Sequence, residues 1–401
     1  MAKRKIQKPT RFERMYKVWD YLRKNTDKRH PTSIAKMRKD ENINAYIGDK
    51  ETINRLLKDM ANIMNLEDGG SDYKPEAEWR LYFDDFKKFY GDKERYERDD
   101  SDEDDSYIAN VMRIKNLYYN RTFSEKEVDS IIEGIMATRT LDSKSAQELV
   151  RKVEDNMTTV FYKRTPRHIC KVQEPELADR ELLKDNLAII QKAIDDNVRI
   201  QFRFNGYSYE KKLEPVRAEM DELSPYYIVA SGGKYYLLAA KEYEGYKPNM
   251  SIWRIDLMTD IEIPGRNDRL HIKGIPRIPK KNVSNLPEKW SEDFQLKHLN
   301  MSFDKPVPVT LRIKSEKCED NPKKRVRPGY TFLHDWFGDS FTYIRTETKP
   351  PYDDIVRVEC SPYGMAHWAL QYSELVEVLE PESLREDIKI KIKALNEKYT
   401  L

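Results

Sequence analysis

Apolar residues in the first part of the chain recur every three to four positions, which is the spacing of amphipathic helices. Residues 11–25 carry one such stripe. A second segment starts after Pro31, with Ser33 among its cap candidates, and a third follows the turn at Gly48 with apolar residues across 53–64. Three short helices with a turn before the third predict a helix-turn-helix arrangement.

Helical patterns resume between residues 107 and 160, where Ser124 is a candidate cap for one helix and Ser143 begins another. A further helix is predicted over about 182–196. The period then changes to two over 198–204, and the following Asn205-Gly206 pair predicts a hairpin turn.

The alternation continues through a series of short segments. Residues 226–230 and 234–240 flank Ser-Gly-Gly, which predicts a second hairpin, and 251–256 and 260–263 extend the pattern. We therefore expect a small antiparallel β domain. Further strands are predicted at 308–314, 331–345 and 355–361, followed by helices around 363–371 and 381–398.

The charge distribution divides the N-terminal region into two parts. The whole chain has 401 residues and a formal net charge of only +2. Residues 1–65 hold 17 Lys and Arg against 8 Asp and Glu, whereas residues 67–106 hold 7 against 16, with six acids in the run 99–105. A basic head of this kind indicates a polyanion-binding module, and the acidic run is typical of a solvated loop.

Several classes of protein are excluded by what the sequence lacks. No apolar run approaches 18 residues, and no apolar stretch follows the basic N-terminus, so neither a membrane span nor a secretory signal is expected. The three cysteines form no CxxC pair, which fits a reducing cytoplasm. No metal-ligand spacing, nucleophile motif or phosphate-binding glycine motif is present, so we expect no metal, no cofactor and no enzymatic activity.

Four motifs in the second half resemble a known family. They are LSPYYIV at 223–229, GKYYLL at 233–238, WRIDLM at 253–258 and SPYGMAHWALQY at 361–372. In this order they resemble the WYL-domain transcriptional regulators, and the last resembles the WCX extension that follows such domains. Two positions depart from the family pattern: Tyr235 stands where the family has Trp, and Leu257 stands where a basic residue is usual.

The resemblance implies an α+β multidomain protein. It would comprise a winged helix-turn-helix, a helical linker, an Sm-like β-barrel that senses a nucleic-acid or nucleotide ligand, and a C-terminal α/β domain. Members of the family are often homodimers, and several regulate DNA-damage or phage-defence genes. The predicted boundaries are 1–106 for the winged helix-turn-helix with its acidic loop, 107–186 for the helical linker, 187–264 for the WYL domain, 265–307 for a linker and 308–401 for the WCX domain.

The third helix is the expected recognition helix, because its outward positions carry basic and amide side chains that bind phosphates and base edges. Basic residues on the neighbouring segments are expected to hold backbone phosphates. The alternative is a solvated amphipathic helix. The candidate DNA contacts are Arg11, Lys28, Arg29, Arg38, Lys50, Thr52, Asn54, Arg55 and Lys58.

In the β domain, alternation places Tyr235, Leu237 and Trp253 on one face and Tyr236 and Arg254 on the other. A guanidinium on the exposed face can hold a phosphate, and a tyrosine can stack a base. The alternative for Arg254 is a structural ion pair with an acid. The candidate ligand contacts are Arg203, Ser224, Tyr226, Lys234, Tyr236 and Arg254.

Together these features predict a cytoplasmic, homodimeric transcription regulator, expected to be a repressor, that binds a double-stranded operator and responds to a nucleic-acid or nucleotide effector. The alternative is an RNA- or single-stranded-DNA-binding accessory protein that modulates a CRISPR or other phage-defence effector.

Overall fold

The computed structural model of this protein describes residues 9–67, 74–84, 114–138, 141–164, 180–314, 317–318, 321–325 and 329–400. These residues form a mixture of helices and antiparallel sheets, as expected of an α+β protein. The chain divides into two compact units, residues 1–175 and residues 176–401, called here the first and second units. The acidic run at 99–105 lies outside the described residues.

Four helices come first in the first unit, and polar side chains cap three of them. Thr10 and Glu13 form a capping box on the first helix, whereas Ser33 and Asp49 cap the second and fourth. These caps confirm the starts predicted near residue 11, after Pro31 and after Gly48. The helices are α1 (Arg11–Asn25), α2 (Ile34–Lys39), α3 (Asn44–Ile47) and α4 (Lys50–Asn65).

The core of the first unit lies between α1 and α4. Val18 and Leu22 of α1 and Leu57 and Met60 of α4 are fully buried in one apolar cluster. Burying such side chains stabilises a fold by about 1.5–3 kcal/mol each. Ile63, which was predicted to belong to the α4 stripe, is instead 69% exposed, because it lies at the edge of the stripe in the last turn.

Two short strands follow, β1 (Leu81–Tyr82) and β2 (Tyr118–Tyr119), which pair antiparallel. Thr32 exchanges two backbone hydrogen bonds with Leu117, at 2.8 and 3.0 Å, so the segment before α2 lies beside β2. The buried Asn65 at the end of α4 accepts from the Arg80 and Leu81 amides and donates to the Leu81 carbonyl at 2.8 Å.

The first unit ends with two helices, α5 (Glu125–Ala137) and α6 (Ser143–Met157), which bury Val128, Ile132, Val150 and Val153 against each other. Ser124 caps α5 with a capping box, as predicted. The side chain of Arg121 ties this pair to the end of α1. Arg121 donates to the carbonyls of Thr26 and Thr158, at 3.2 and 3.1 Å.

The second unit begins with α7 (Arg180–Asp196), which packs on a curled six-stranded sheet. Five of its strands follow the order β4-β3-β5-β6-β7, and β8 also pairs with β3. Phe202, Leu237 and Ile255 are fully buried beneath α7. The strands are β3 (Ile200–Tyr207), β4 (Leu213–Pro215), β5 (Asp221–Ser231), β6 (Lys234–Ala240), β7 (Met250–Arg254) and β8 (Met258–Glu262).

The two predicted hairpins have different outcomes. The β5–β6 turn lies at Gly232 and Gly233, both with positive φ, as expected. The prediction of a turn at Asn205-Gly206 is wrong, because both residues lie within β3 and the chain turns at 208–212. Asn205 is buried and donates to the Leu257 carbonyl at 3.0 Å, so a tertiary contact holds this dipeptide extended.

Residues 276–302 pack against the sheet and include the short helix α8 (Phe294–Lys297). A second sheet follows, of order β12-β13-β9-β14. It consists of β9 (Val307–Ile313), β12 (Thr342–Thr346), β13 (Asp354–Cys360) and β14 (Val376–Glu380), and a separate hairpin joins β10 (Lys317–Cys318) to β11 (Asn321–Arg325).

Three helices cover this second sheet: α9 (Thr331–Phe337), α10 (Pro362–Gln371) and α11 (Glu382–Tyr399). The predicted strand at 331–345 is wrong for its first half, which forms α9. Leu333 and Phe337 lie four residues apart and are both fully buried, which is a helical period that the aromatic content obscured. The two C-terminal helices confirm the predictions.

Candidate nucleic-acid interface and ligand site

Helix α4 is held so that its N-terminal turn is exposed. The Asp49 carboxylate accepts from the Thr52 amide at 2.7 Å, and this bond lowers the pKa of Asp49. Lys50 and Arg55 are exposed, and Lys58 is half-buried. Arg55 pairs with Glu51 one turn earlier, at 2.9 Å. An exposed i,i+4 pair is weak, so Arg55 can exchange Glu51 for a phosphate at little cost.

Asn54 was predicted to lie on the exposed face of α4, but in the structure it is buried. It is only 1% exposed, and it lies seven residues before the buried Ala61 on the same side of the helix. The buried face of α4 is wider than the predicted stripe and includes this position. Asn54 therefore cannot reach a base edge in this conformation.

The other basic candidates lie in three places. Arg38 donates to the Gly48 carbonyl at 3.2 Å, which brings it close to the start of α4 beside Lys50 and Thr52. Lys28 and Arg29 are exposed in the turn that follows α1. Arg11 is also exposed, but it pairs with Asp59 in the second half of α4, away from that helix's first turn.

In the second unit, Tyr236 and Arg254 are direct partners across β6 and β7, as the alternation predicted. Arg254 donates from Nε and an Nη to the two carboxylate oxygens of Asp256, at 3.1 and 2.5 Å. Partial burial opposes the charged form of Arg254, but the bonds to Asp256 prevail and raise its pKa. The structural alternative for Arg254, an ion pair, is therefore present.

Ser224 and Tyr226 do not face an open ligand site. They are 1% and 2% exposed, and both bind the backbone of one residue in the packed segment 276–302. The Ser224 hydroxyl accepts from the Ile278 amide at 3.0 Å, and the Tyr226 hydroxyl donates to the Ile278 carbonyl at 2.7 Å. Because these partners come from a distant part of the chain, the sequence pattern of β5 gave no sign of them.

The remaining ligand candidates lie on different strands of the sheet. Lys234 is two residues before Tyr236 on β6, so it shares a face with Tyr236 and Arg254. Arg203 lies on β3, where it pairs with Asp260 at 3.4 Å and donates to the Ala218 carbonyl. The structure thus groups Lys234, Tyr236 and Arg254 and leaves Arg203 apart.

A second group of basic and aromatic residues was missed from the sequence. Arg277 lies 5.1 Å from the ring centre of Tyr226 and donates to the Pro225 carbonyl at 2.7 Å. Lys280 donates to the Tyr227 hydroxyl at 2.8 Å, and the Tyr227 ring lies 5.8 Å from that of Trp290. Their only sequence signal was a basic stretch inside a predicted linker.

No three or more His, Cys, Asp or Glu side chains converge as metal ligands in the part of the chain that the structure describes. Over the same residues, no helix has the length and apolar character needed to cross a membrane.

No family model and no curated protein sequence matches this chain. Among solved structures, it is similar to proteasome accessory factor B/C (PafBC) of Arthrobacter aurescens, with 17% identity over 72% of this chain and a TM-score of 0.23. The matched part spans 39% of that chain. It is also similar to a protein described as CRISPR Cas-related, with 14% identity, 87% of each chain covered and a TM-score of 0.29.

Proposed function

We propose that this protein is a DNA-binding transcription regulator whose first unit binds duplex DNA through α4. The observation that carries the proposal is a capped helix that presents the exposed Lys50 and Arg55 and the half-buried Lys58, while its other face is buried in the core that it shares with α1. A helix presented in this way fits the major groove, with its N-terminal residues reaching base edges and its lysines reaching phosphates.

The surrounding elements support a winged helix-turn-helix. Helices α1, α2 and α4 are followed by the antiparallel β1–β2 pair, and Thr32 adds a third segment beside β2. The net positive charge of residues 1–65 supplies the sequence-independent part of DNA affinity.

We further propose that the second unit receives a nucleic-acid or nucleotide effector at Lys234, Tyr236 and Arg254. A phosphate there would compete with Asp256 for the Arg254 guanidinium. An effector shifts a conformational equilibrium only by its differential affinity for the two states, and exchange at this pair is one source of such a difference. We assign no catalytic step to the protein. We propose that it acts in the cytoplasm as a homodimeric repressor, and that its two DNA-binding units contact half-sites about 34 Å apart.

One observation favours a second candidate function, the binding of single-stranded RNA or DNA by an accessory protein of a CRISPR or phage-defence effector. Trp290 is 43% exposed beside Tyr227 and the basic Lys280. Aromatic rings beside basic side chains bind single strands by stacking and charge.

Selection of bound sequences from a random duplex pool tests the first function against the second. We expect a defined duplex sequence to be enriched and to bind at least tenfold more tightly than either of its single strands at equal salt. Preferential binding of the single strands, lost in Trp290→Ala, would establish the second function instead.

A further inference from the structure

Helix α11 carries an apolar stripe that begins in the core and continues onto the surface. Leu384 is 3% exposed and Ile388 packs partly on the same core, whereas Ile392, Leu395 and Tyr399 are 51%, 43% and 84% exposed. These five residues, called here the α11 stripe, are spaced by four, four, three and four positions. At about 100° per residue they fall within about 80° of the helix circumference.

The stripe is narrow and has the spacing of a coiled-coil seam. A helix that lies on a lipid surface presents a broad apolar face, whereas steps of four, three and four, as from Ile388 to Tyr399, produce a seam that one other helix can cover. Ile392, Leu395 and Tyr399 continue this seam beyond the residues that cover Leu384 and Ile388. The geometry therefore fits a single partner helix.

The charges beside the stripe indicate what kind of partner helix it would bind. Lys391 and Lys398 flank one side of the stripe, and Lys389 flanks the other. Within the part of the chain that the structure describes, Lys389 and Lys391 pair along their own helix, Lys389 with Glu386 at 2.5 Å and Glu382 at 3.7 Å, and Lys391 with Asp387 at 3.3 Å. Exposed pairs of this kind are weak and exchange readily.

A second copy of the chain is a poor occupant of this seam. An antiparallel pair of α11 helices would set Lys391 against Lys398 of the second copy, and a parallel pair would set it against Asn396. Neither orientation gains an attractive pair. We propose that the exposed part of the α11 stripe is a docking surface for a helix of another protein, one with an apolar seam flanked by acidic residues.

The probe for this surface is a pair of synthetic helical peptides with the same apolar heptads, one flanked by Glu and the other by Lys. Binding to the full-length protein is measured by fluorescence anisotropy. We expect the Glu-flanked peptide to bind wild type at least tenfold more tightly than the Lys-flanked peptide. Ile392→Glu with Leu395→Glu should weaken that binding at least tenfold. Ile390→Glu is the matched control, because Ile390 is 67% exposed on the opposite side of α11.

The proposal is overturned if the Glu-flanked peptide does not bind wild type, if the two peptides bind equally, or if the double variant binds as wild type does. Sedimentation and vesicle binding complete the test. If wild type and Ile390→Glu are dimers and the double variant is a monomer, the stripe binds a second copy of the chain. If wild type and Ile390→Glu bind phosphatidylserine vesicles and the double variant does not, the stripe binds a lipid surface.

Discussion

Arg254 binds both carboxylate oxygens of Asp256, which lies two residues further along the chain. The Asp256 side chain is 2% exposed, whereas that of Arg254 is 30% exposed. Without the guanidinium this carboxylate would be buried without its counter-ion, which is a costly arrangement. The pair therefore stabilises the second unit, and it holds the partly exposed Arg254 side chain opposite Tyr236.

We predict that Arg254→Ala lowers the free energy of unfolding of the second unit by roughly 1–3 kcal/mol, a value discounted for the partial exposure of Arg254. Adding Asp256→Asn should recover part of the loss, because the isolated charge is then removed. Urea denaturation measures both effects. Wild-type stability in the single variant would show that the pair is only a surface contact.

Ser224→Ala and Tyr226→Phe should each destabilise the second unit by about 1–3 kcal/mol, because each leaves a buried polar group of Ile278 without its partner. Nucleotide or oligonucleotide affinity, measured by titration, should not change beyond this loss of stability. Lys234→Ala is the control and should leave the stability within about 0.5 kcal/mol of wild type. If Ser224→Ala or Tyr226→Phe lost effector affinity while its stability stayed at the wild-type value, that residue would belong to the ligand site after all.

The sequence predicted the elements whose signals are local. The caps at Ser33 and Ser124 and the glycine turn between β5 and β6 were all found at the expected places. The predictions that were wrong concern positions whose structure depends on residues distant in the chain. Ile278 binds Ser224 and Tyr226, and Leu257 holds Asn205 extended, so neither burial nor backbone conformation was readable from the neighbouring sequence.

The same limit applies to α4. Helical periodicity located its buried stripe, but the width of that stripe depends on what packs beside it. Asn54 is therefore buried although its polarity indicated the exposed face, and Ile63 is exposed although its apolar side chain indicated the buried face. The role of Asn65 was not predicted, since its three backbone partners lie some 15 residues further along the chain.

Asn65→Ala should destabilise the first unit by roughly 2–4 kcal/mol, because it leaves backbone groups of Arg80 and Leu81 unsatisfied in the core. Hydrogen exchange followed by mass spectrometry should show faster exchange in peptides that contain β1. Asn65→Asp should not recover this loss, because it buries a carboxylate without a counter-ion against the Leu81 carbonyl. Unchanged exchange in Asn65→Ala would contradict the assigned role.

The stability of the second unit should depend on pH through His298. Burial lowers the pKa of His298 below its ordinary value of 6.5, against the opposing effect of its bond to the Ser302 carbonyl at 2.8 Å. Below pH 6.5 the unfolded chain takes up a proton that the folded chain does not. Stability should therefore fall as pH decreases, by at most about 1.4 kcal/mol per pH unit, until the folded pKa is reached.

His298→Asn, which can still donate from the same position, should flatten this dependence between pH 7 and pH 5. Urea denaturation across that range compares the two proteins. Parallel curves for wild type and His298→Asn would assign the pH dependence to other groups.

The central claim is that α4 carries the binding of duplex DNA. Its most direct test is the salt dependence of affinity for the selected duplex, compared between wild type and the variant Arg55→Ala with Lys58→Ala. Lys211→Ala with Lys212→Ala is the matched control, since both lysines are exposed in the second unit. We predict that the α4 variant binds at least tenfold more weakly and that its slope of log affinity against log salt is smaller by about 1–2, whereas the control matches wild type. Wild-type affinity and slope in the α4 variant would contradict the claim.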